Sequence, residues 1–385
     1  MEKQKVVFTF VEAGMGHIVP ATGIADAFEK KYGEQFDVIR WKIFSDSQNP
    51  IIKKYSDDII AWVKMASKNK LGAFEEKLSY FVGSKFTLKV LDAKFKKAKE
   101  ASIDEIVKMN PALICSTYYS PSHFTVHARM QGKTDPIIAT YTPDPVVYPS
   151  WDRGTDIFFV NNESAEKYAL KYGFKESQLY KVPFILRKEI ESTTKNKKEA
   201  RRMLGLAEDK FTLLMASGAY GTSKDKKVID NVLAQDLDIN FVVVCGKNEE
   251  LYKYCEEKAA QSRKTAFHYV GFTNQMFVYN SAADLMMGKT GANSMMESFY
   301  FGVPFIATSS ANLLEQYICK YYIKDKQCGE KIFNPKKVGQ RIAEIVENPA
   351  ILEAYKKNLR GYQDSSGAER VADKLYEMLK AKYQN

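Results

Sequence analysis

Residues 270–308 read VGFTNQMFVYNSAADLMMGKTGANSMMESFYFGVPFIAT, and they contain a complete strand–loop–helix–strand passage. DLMMG (284–288) is a short apolar run of the kind a fully buried strand needs, and PFIAT (304–308) is another. Between them ANSMMESFYFG (292–302) carries apolar residues at helical spacing and ends on a glycine, a common helix stop. The turn that joins strand to helix is Gly288-Lys289-Thr290-Gly291-Ala292-Asn293-Ser294.

The same alternation extends on both sides. FTLLMAS, NFVVVCG and FHYVGF read as strands, and SKDKKVIDNVLAQ, NEELYKYCEEKAAQ, TNQMFVYNSA and NLLEQYICKYY read as helices. Near the N-terminus VVFTF, FDVIR, PALIC, PIIAT and DIFFV read as strands, with helices over IVPATGIADAFEKKYG, SHFTVHARM and ESAEKYALKYG. Each strand-plus-helix unit takes about 25–30 residues, as right-handed parallel crossovers require. The series breaks at VPFILRKEIESTTKNKKEARR, a polar, charge-rich stretch after Pro183. The expected fold is therefore α/β, with two doubly wound domains facing a central cleft, residues 1–184 and 185–364. A last amphipathic helix, 365–385, is expected to return to the first domain.

The chain has 385 residues, 45% of them apolar, and Gly and Pro total 33 (21 and 12), which excludes disordered and collagen-like classes. Fifty-seven basic against 47 acidic residues leave a net +10, which favours an anionic partner. The five cysteines form no C-x-x-C pair, so reduced core thiols are expected. No run approaches the ~18 apolar residues of a spanning helix. Glu12 interrupts the short apolar stretch of MEKQKVVFTFVEAGMGH, so it is not read as a signal peptide. Any membrane contact is expected to be peripheral.

Residues 51–110 interrupt the alternation with wholly helical sequence. They hold 13 Lys against 8 Asp and Glu, so a charge of +5, half the total, lies in this insertion. Within it, SKFTLKVLDAKFKKAK (84–99) carries Lys85, Lys89, Lys96 and Lys97 among its six lysines. Leu88, Leu91, Phe95 and Ala98 fall at i, i+3, i+7 and i+10, one face of a helix. With Trp62, Phe81 and Val82 nearby, this is the pattern of an interfacial membrane binder. The alternative is an ordinary surface helix with its apolar stripe docked inward.

Three loops are candidates for chemistry. Gly14-Met15-Gly16-His17 lies between the first strand and helix, where glycines admit a ligand to the backbone and an imidazole can act as general base. Ser217-Gly218-Ala219-Tyr220-Gly221-Thr222-Ser223 and the 288–294 turn each follow a strand and open a helix, so their N–H groups can cradle a diphosphate. Neither matches a P-loop or a G-x-G-x-x-G dinucleotide fingerprint. Glu297 comes about one turn after the second loop, where a carboxylate can bridge two vicinal ribose hydroxyls. A phosphate loop plus a carboxylate on one helix is nucleotide-sugar chemistry. His123 and His127 make an i, i+4 pair with no third metal ligand apparent, and His268 reads as packed or capping. Tyr118, Tyr119 and Tyr141 follow strands and could line an acceptor site.

The sequence resembles the GT-B glycosyltransferases of the MurG and monogalactosyl-diacylglycerol synthase superfamily, nearest to bacterial diacylglycerol glucosyltransferases. VEAGMGHIVPATGIADAF, FVVVCGKNEEL and above all 270–308 carry the resemblance, which spans nearly the whole chain. It implies inverting transfer of a hexose, glucose or galactose, from a UDP-sugar to diacylglycerol or a glycosyl-diacylglycerol, with no essential metal or other cofactor. His17 would be the base, and Gly16 in its turn would belong to the donor-binding residues. Gly271 and Phe272 would hold uracil. Gly218 and Gly291, Ala292, Asn293 and Ser294 would hold the diphosphate, Lys289 would offset its charge, and Glu297 would take the ribose. Glu315 and Gln316 fall near the family's sugar-reading patch. Tyr148 and Trp151 occupy the acceptor-side motif, and the lysine-rich insertion would touch an anionic membrane. Ala292 stands where relatives have glycine, and Tyr148 where they have histidine. The resemblance implies a peripheral protein on the inner face of the cell membrane, with no nucleic-acid partner. Other readings keep the donor but take a polyprenyl-linked or soluble acceptor, bind UDP-sugar or RNA without turnover, or epimerise the sugar.

Overall fold

A computed structural model describes residues 3–12, 15–66, 84–259 and 264–383. The chain forms two compact units, Met1–Arg187 with Ser365–Asn385, and Lys188–Asp364. The first break falls after Arg187 and not after Phe184. The reason is packing: Val182 and Ile185 belong to the first unit's core, and the Ile185 N–H donates to the Tyr141 hydroxyl at 3.2 Å.

Unit 1 is a six-stranded parallel sheet, β1 (Gln4–Thr9), β2 (Phe36–Trp41), β3 (Leu113–Ser116), β4 (Ile137–Tyr141), β5 (Ile157–Val160) and β6 (Leu179–Lys181). Its order is β2-β1-β3-β4-β5-β6. Because strand side chains alternate, β1 feeds two cores at once. Val6 and Phe8 pack on one face with Ile24 and Phe28 of α1 (Met15–Tyr32). Val7 packs on the other with Trp41, Phe44 and Ile106. Burial on both faces is why these strands read as unbroken apolar runs. The C-terminal helix, Gly367–Tyr383, closes the α1 side with Val371, Leu375 and Leu379.

The insertion supplies α2 (Pro50–Ala66), α3 (Ser84–Lys94) and α4 (Lys96–Met109). Residues 67–83, with Phe81 and Val82, lie outside the described residues. The expected single helix over 84–99 is two helices, broken at Phe95, whose φ of −115° and ψ of 22° leave the helical region. Phe95 turns its ring onto Tyr55 of α2, with centroids 4.6 Å apart. That tertiary contact outweighs the local 3.6-residue pattern.

Unit 2 is a second six-stranded parallel sheet. Its strands are β7 (Phe211–Ala216), β8 (Ile239–Val244), β9 (Ala266–Val270), β10 (Leu285–Lys289), β11 (Phe305–Ser309) and β12 (Gly329–Lys331), in the order β12-β11-β10-β7-β8-β9. Two further helices, Pro335–Glu347 and Pro349–Lys357, begin with Pro after Asn334 and Asn348, which cap them with their side chains. Each unit is thus a Rossmann-like domain. All five cysteines are free and buried. Among the described residues no helix is long and apolar enough to cross a membrane.

Candidate functional site

In an open parallel sheet, ligands gather at the carboxyl ends of the strands where the strand order reverses. Unit 1 reverses between β1 and β3. The residues that leave those two strand ends are His17, in the first turn of α1, and Thr117, just past β3. His17 Nδ1 lies 2.8 Å from the Thr117 carbonyl oxygen, and the Thr117 hydroxyl donates back to the His17 carbonyl at 2.7 Å. A carbonyl oxygen only accepts, so Nδ1 carries the hydrogen and the lone pair sits on Nε2. Burial pushes the imidazole below its ordinary value near 6.5, against a smaller upward pull from the Thr117 bond. The ring is edge-on to Tyr118 at 5.0 Å. His17 is therefore a neutral, oriented proton acceptor. Gly16 precedes it in the same helix turn; Gly14 lies outside the described residues.

Unit 2 reverses between β7 and β10, and both expected phosphate loops leave from there. Gly218 follows β7 with φ +78°, and a Cβ at that position would stand 3.9 Å from Lys289 Cε. Gly291 caps the helix Ala292–Tyr300, so the N–H groups of Ala292, Asn293 and Ser294 open its first turn. The two strands meet so closely that a Cβ on Gly288, φ +156°, would stand 2.0 Å from the Ala216 oxygen. Glu297 lies in the second turn of that helix, 6% exposed.

Asp225, a residue outside the three candidate loops, organises the first phosphate loop. One carboxylate oxygen accepts from the Ser217 hydroxyl at 3.0 Å and the Thr222 hydroxyl at 2.6 Å; the other accepts from the Thr222 N–H at 2.7 Å. Burial raises its pKa, and the Thr222 and Ser217 bonds oppose the rise. Thr222 followed three residues later by an acid is a capping pattern that could have revealed it.

Lys289 and Glu315 pair with each other, Nζ to Oε1 at 2.7 Å, and Glu315 Oε2 accepts from the Ala311 N–H at 2.5 Å. Glu315 is thus a buried anchor for Lys289, while Gln316 beside it is exposed. Gly271 lines a cavity of about 410 Å³ with Gly246, Lys247, Asn248 and Tyr252. Phe272 next to it is 63% exposed, with Lys247 Nζ 5.5 Å from its ring centroid. Lys247 lies inside the FVVVCGKNEEL block and Tyr252 directly after it, but sequence alone assigns neither a role.

Two expected acceptor-side features are placed differently. Trp151 is 4% exposed and packs on Phe158 at 5.3 Å, so it is a core residue and offers no surface to an acceptor or membrane. Tyr148 is half-buried against the same cluster. Leu88 is buried and Phe95 half-buried, so this part of the apolar stripe faces the domain and not a bilayer. Lys89, Lys96 and Lys97 are exposed. The side chains of Lys85 and Leu91 lie outside the described residues. His268 is half-buried on β9, and burial lowers its pKa. Tyr141 is fully buried.

Two Rossmann-like domains, each with its loops at the sheet reversal, are the architecture of the GT-B glycosyltransferases. Residues 213–375 match the glycosyltransferase family 28 C-terminal domain, and the chain is similar to members of the MurG and monogalactosyl-diacylglycerol synthase superfamily. It is 22% identical to a processive diacylglycerol beta-glucosyltransferase of Bacillus pumilus, over 97% of this chain and 95% of that one. It is 23% identical to a probable chloroplastic monogalactosyldiacylglycerol synthase of Glycine max, over 89% of this chain and 65% of that one. MurG of Acinetobacter baumannii shares the fold, with a TM-score of 0.66 at 13% identity over 97% of this chain and 100% of that one.

Proposed function

We propose that the protein transfers a hexose, glucose or galactose, from a UDP-sugar to diacylglycerol or a glycosyl-diacylglycerol, inverting the anomeric carbon. The observation that carries the reading is the His17–Thr117 bond, which leaves Nε2 as a neutral acceptor in an enzyme class that must deprotonate a hydroxyl. Nε2 takes the proton of the acceptor hydroxyl as its oxygen attacks the anomeric carbon. The bond from that carbon to the diphosphate oxygen breaks, and UDP leaves with the electron pair.

The loops of unit 2 receive the donor in this reading. The turn at Gly218 and the N–H groups after Gly291 hold the diphosphate, and helix dipole and Lys289 offset the charge that develops on it. No essential metal is required of this arrangement. Glu297 takes the ribose hydroxyls, and the cavity beside Gly271 takes the uracil. The lipid acceptor is supported by the glycolipid-making relatives and by the exposed lysines of α3 and α4, which suit an anionic surface on the cytoplasmic side.

The test is UDP release from UDP-glucose, UDP-galactose and UDP-N-acetylglucosamine in turn, with and without diacylglycerol in anionic vesicles, followed by analysis of extracted lipid. Release that depends on diacylglycerol, with a hexosyl-lipid product, is the expected result. Release without a lipid product moves the acceptor to a soluble glycoside or water. No release with any donor, despite UDP binding, overturns the transfer reaction proposed.

A further inference from the structure

His123 and His127 stand four residues apart on α5 (Tyr119–Met130), and the missing third ligand arrives from α3. Asp92 Oδ1 lies 2.9 Å from His123 Nε2, and Asp92 Oδ2 lies 3.4 Å from His127 Nε2. One ligand atom from each residue lies within 4.8 Å of the others. A tetrahedral ion with bonds of about 2.0–2.1 Å separates neighbouring ligand atoms by roughly 3.3 Å, and the 2.9 and 3.4 Å contacts of Asp92 with the two imidazoles bracket that spacing.

The surroundings of His123 add an independent observation. Its side chain is 4% exposed, and its other nitrogen, Nδ1, lies 2.6 Å from Asp152 Oδ2. Asp152 Oδ1 in turn accepts from the Gly154 N–H at 2.8 Å. A carboxylate behind a histidine fixes its ring and tautomer, and is the usual outer partner of a metal-bound imidazole. Here it holds Nδ1 protonated and turns Nε2 toward Asp92 and His127.

We propose that Asp92, His123 and His127 bind a divalent transition-metal ion of the zinc class, with Asp152 as the orienting carboxylate behind His123. Two imidazoles and one carboxylate suit zinc, cobalt or nickel better than magnesium or calcium, and water completes the fourth position. The ion takes the place of any proton between His123 Nε2 and Asp92. Lys99 is its competitor, with Nζ 2.5 Å from Asp92 Oδ1. Binding pins the lysine-bearing α3 to α5 and takes no part in sugar transfer, so the proposal does not depend on the reaction assigned above.

The full chain, stripped with chelator, is titrated with Zn²⁺ alone against a chromophoric competitor, and with Co²⁺ as a spectroscopic probe. The expected result is one equivalent bound, with visible Co²⁺ bands of a four-coordinate nitrogen–oxygen site and a Zn²⁺-dependent rise in unfolding temperature. His127 is partly exposed, so His127→Gln keeps the fold; it is expected to abolish the Co²⁺ bands and the thermal shift. Asp152→Asn weakens Zn²⁺ about 10–100-fold. Lys99→Met removes the competing ammonium and tightens binding. His268→Gln leaves Zn²⁺ binding as in the parent. Sub-stoichiometric uptake at micromolar Zn²⁺, or a folded His127→Gln variant that binds like the parent, overturns the proposal.

Discussion

Nδ1 of His17 lies 2.8 Å from the carbonyl oxygen of Thr117, a contact that joins the chain leaving β1 to the chain leaving β3. One hundred residues of sequence separate the partners, and the reversal of strand order brings them together. The bond does two things for a base: it selects the tautomer and it fixes the ring. Replacing His17 with Ala is expected to lower kcat about 10²–10⁴-fold, the range of a lost general base, while UDP binds unchanged. Steady-state kinetics with UDP titration by calorimetry checks both halves.

The same burial sets a pH dependence. With its pKa below 6.5, His17 stays neutral and active as pH falls past the ordinary imidazole range, and activity drops only at the lowered value. Between that value and 6.5 the unfolded chain binds more protons at this site than the folded one. The contribution to stability therefore rises with pH across this window and is complete above 6.5. The acid limb of kcat/KM is expected below pH 6.5; a limb above it would show that another group limits the rate.

Gly288 and the Ala216 oxygen approach so closely that no side chain fits. Gly288→Ala would place a carbon 2.0 Å from that oxygen at a φ of +156°, so β7 and β10 must part. The expected cost is about 3 kcal/mol, a fall of roughly 6–12 °C in unfolding temperature for unit 2. Calorimetry reads it directly.

Much of this was legible in the sequence because buried parallel strands are apolar on both faces. VVFTF, FVVV, DLMMG and PFIAT needed no context. The three-residue edge strands β6 and β12 did not stand out, since Tyr180, Lys181 and Lys331 are exposed and leave no apolar run. Spacing put Leu88, Phe95 and Ala98 on one helix face, but the helix breaks at Phe95, whose ring meets Tyr55, forty residues earlier, a contact that spacing cannot show. Trp151 kept its motif position while its ring served the core. Asp92 was invisible as a metal ligand, because it meets His123 across 31 residues and two helices.

Leu88 and Ala98 are buried and Phe95 is half-buried, so among the described residues the membrane contact proposed above draws on charge. A lysine near an anionic surface contributes about 1 kcal/mol, so Lys89, Lys96 and Lys97 all changed to Gln should weaken partitioning by up to ~100-fold. Raising salt toward 1 M, where the screening length is about 3 Å, should release the parent protein as well. Flotation with anionic and neutral vesicles at two salt concentrations distinguishes this from insertion of an apolar face, which salt would spare.

Glu297 sits one turn beyond the loop that opens at Gly291. Hydrogen bonds to a charged group are worth about 1.5–3 kcal/mol, so Glu297→Gln is expected to weaken UDP binding about 10–100-fold. Unchanged affinity in a folded variant would remove the residue from the donor site.

Asp225 separates positioning from contact. Its two oxygens accept three hydrogen bonds from Ser217 and Thr222, and a Cβ on Gly221 would stand 2.9 Å from one of them, so the 217–222 loop is wrapped on this carboxylate. Asn has nearly the same shape but only one acceptor oxygen, and its amide nitrogen would meet a donor. Asp225→Asn should therefore loosen the loop without emptying the space around it, at a cost of about 1–3 kcal/mol in stability. The donor site proposed above needs N–H groups already aimed at a diphosphate, so the KM for UDP-sugar should rise about tenfold. At saturating donor the reacting groups are unchanged, and kcat should stay within a few-fold of the parent. A loss of kcat with KM intact would mean that Asp225 acts on the departing diphosphate itself, and not through the shape of the loop.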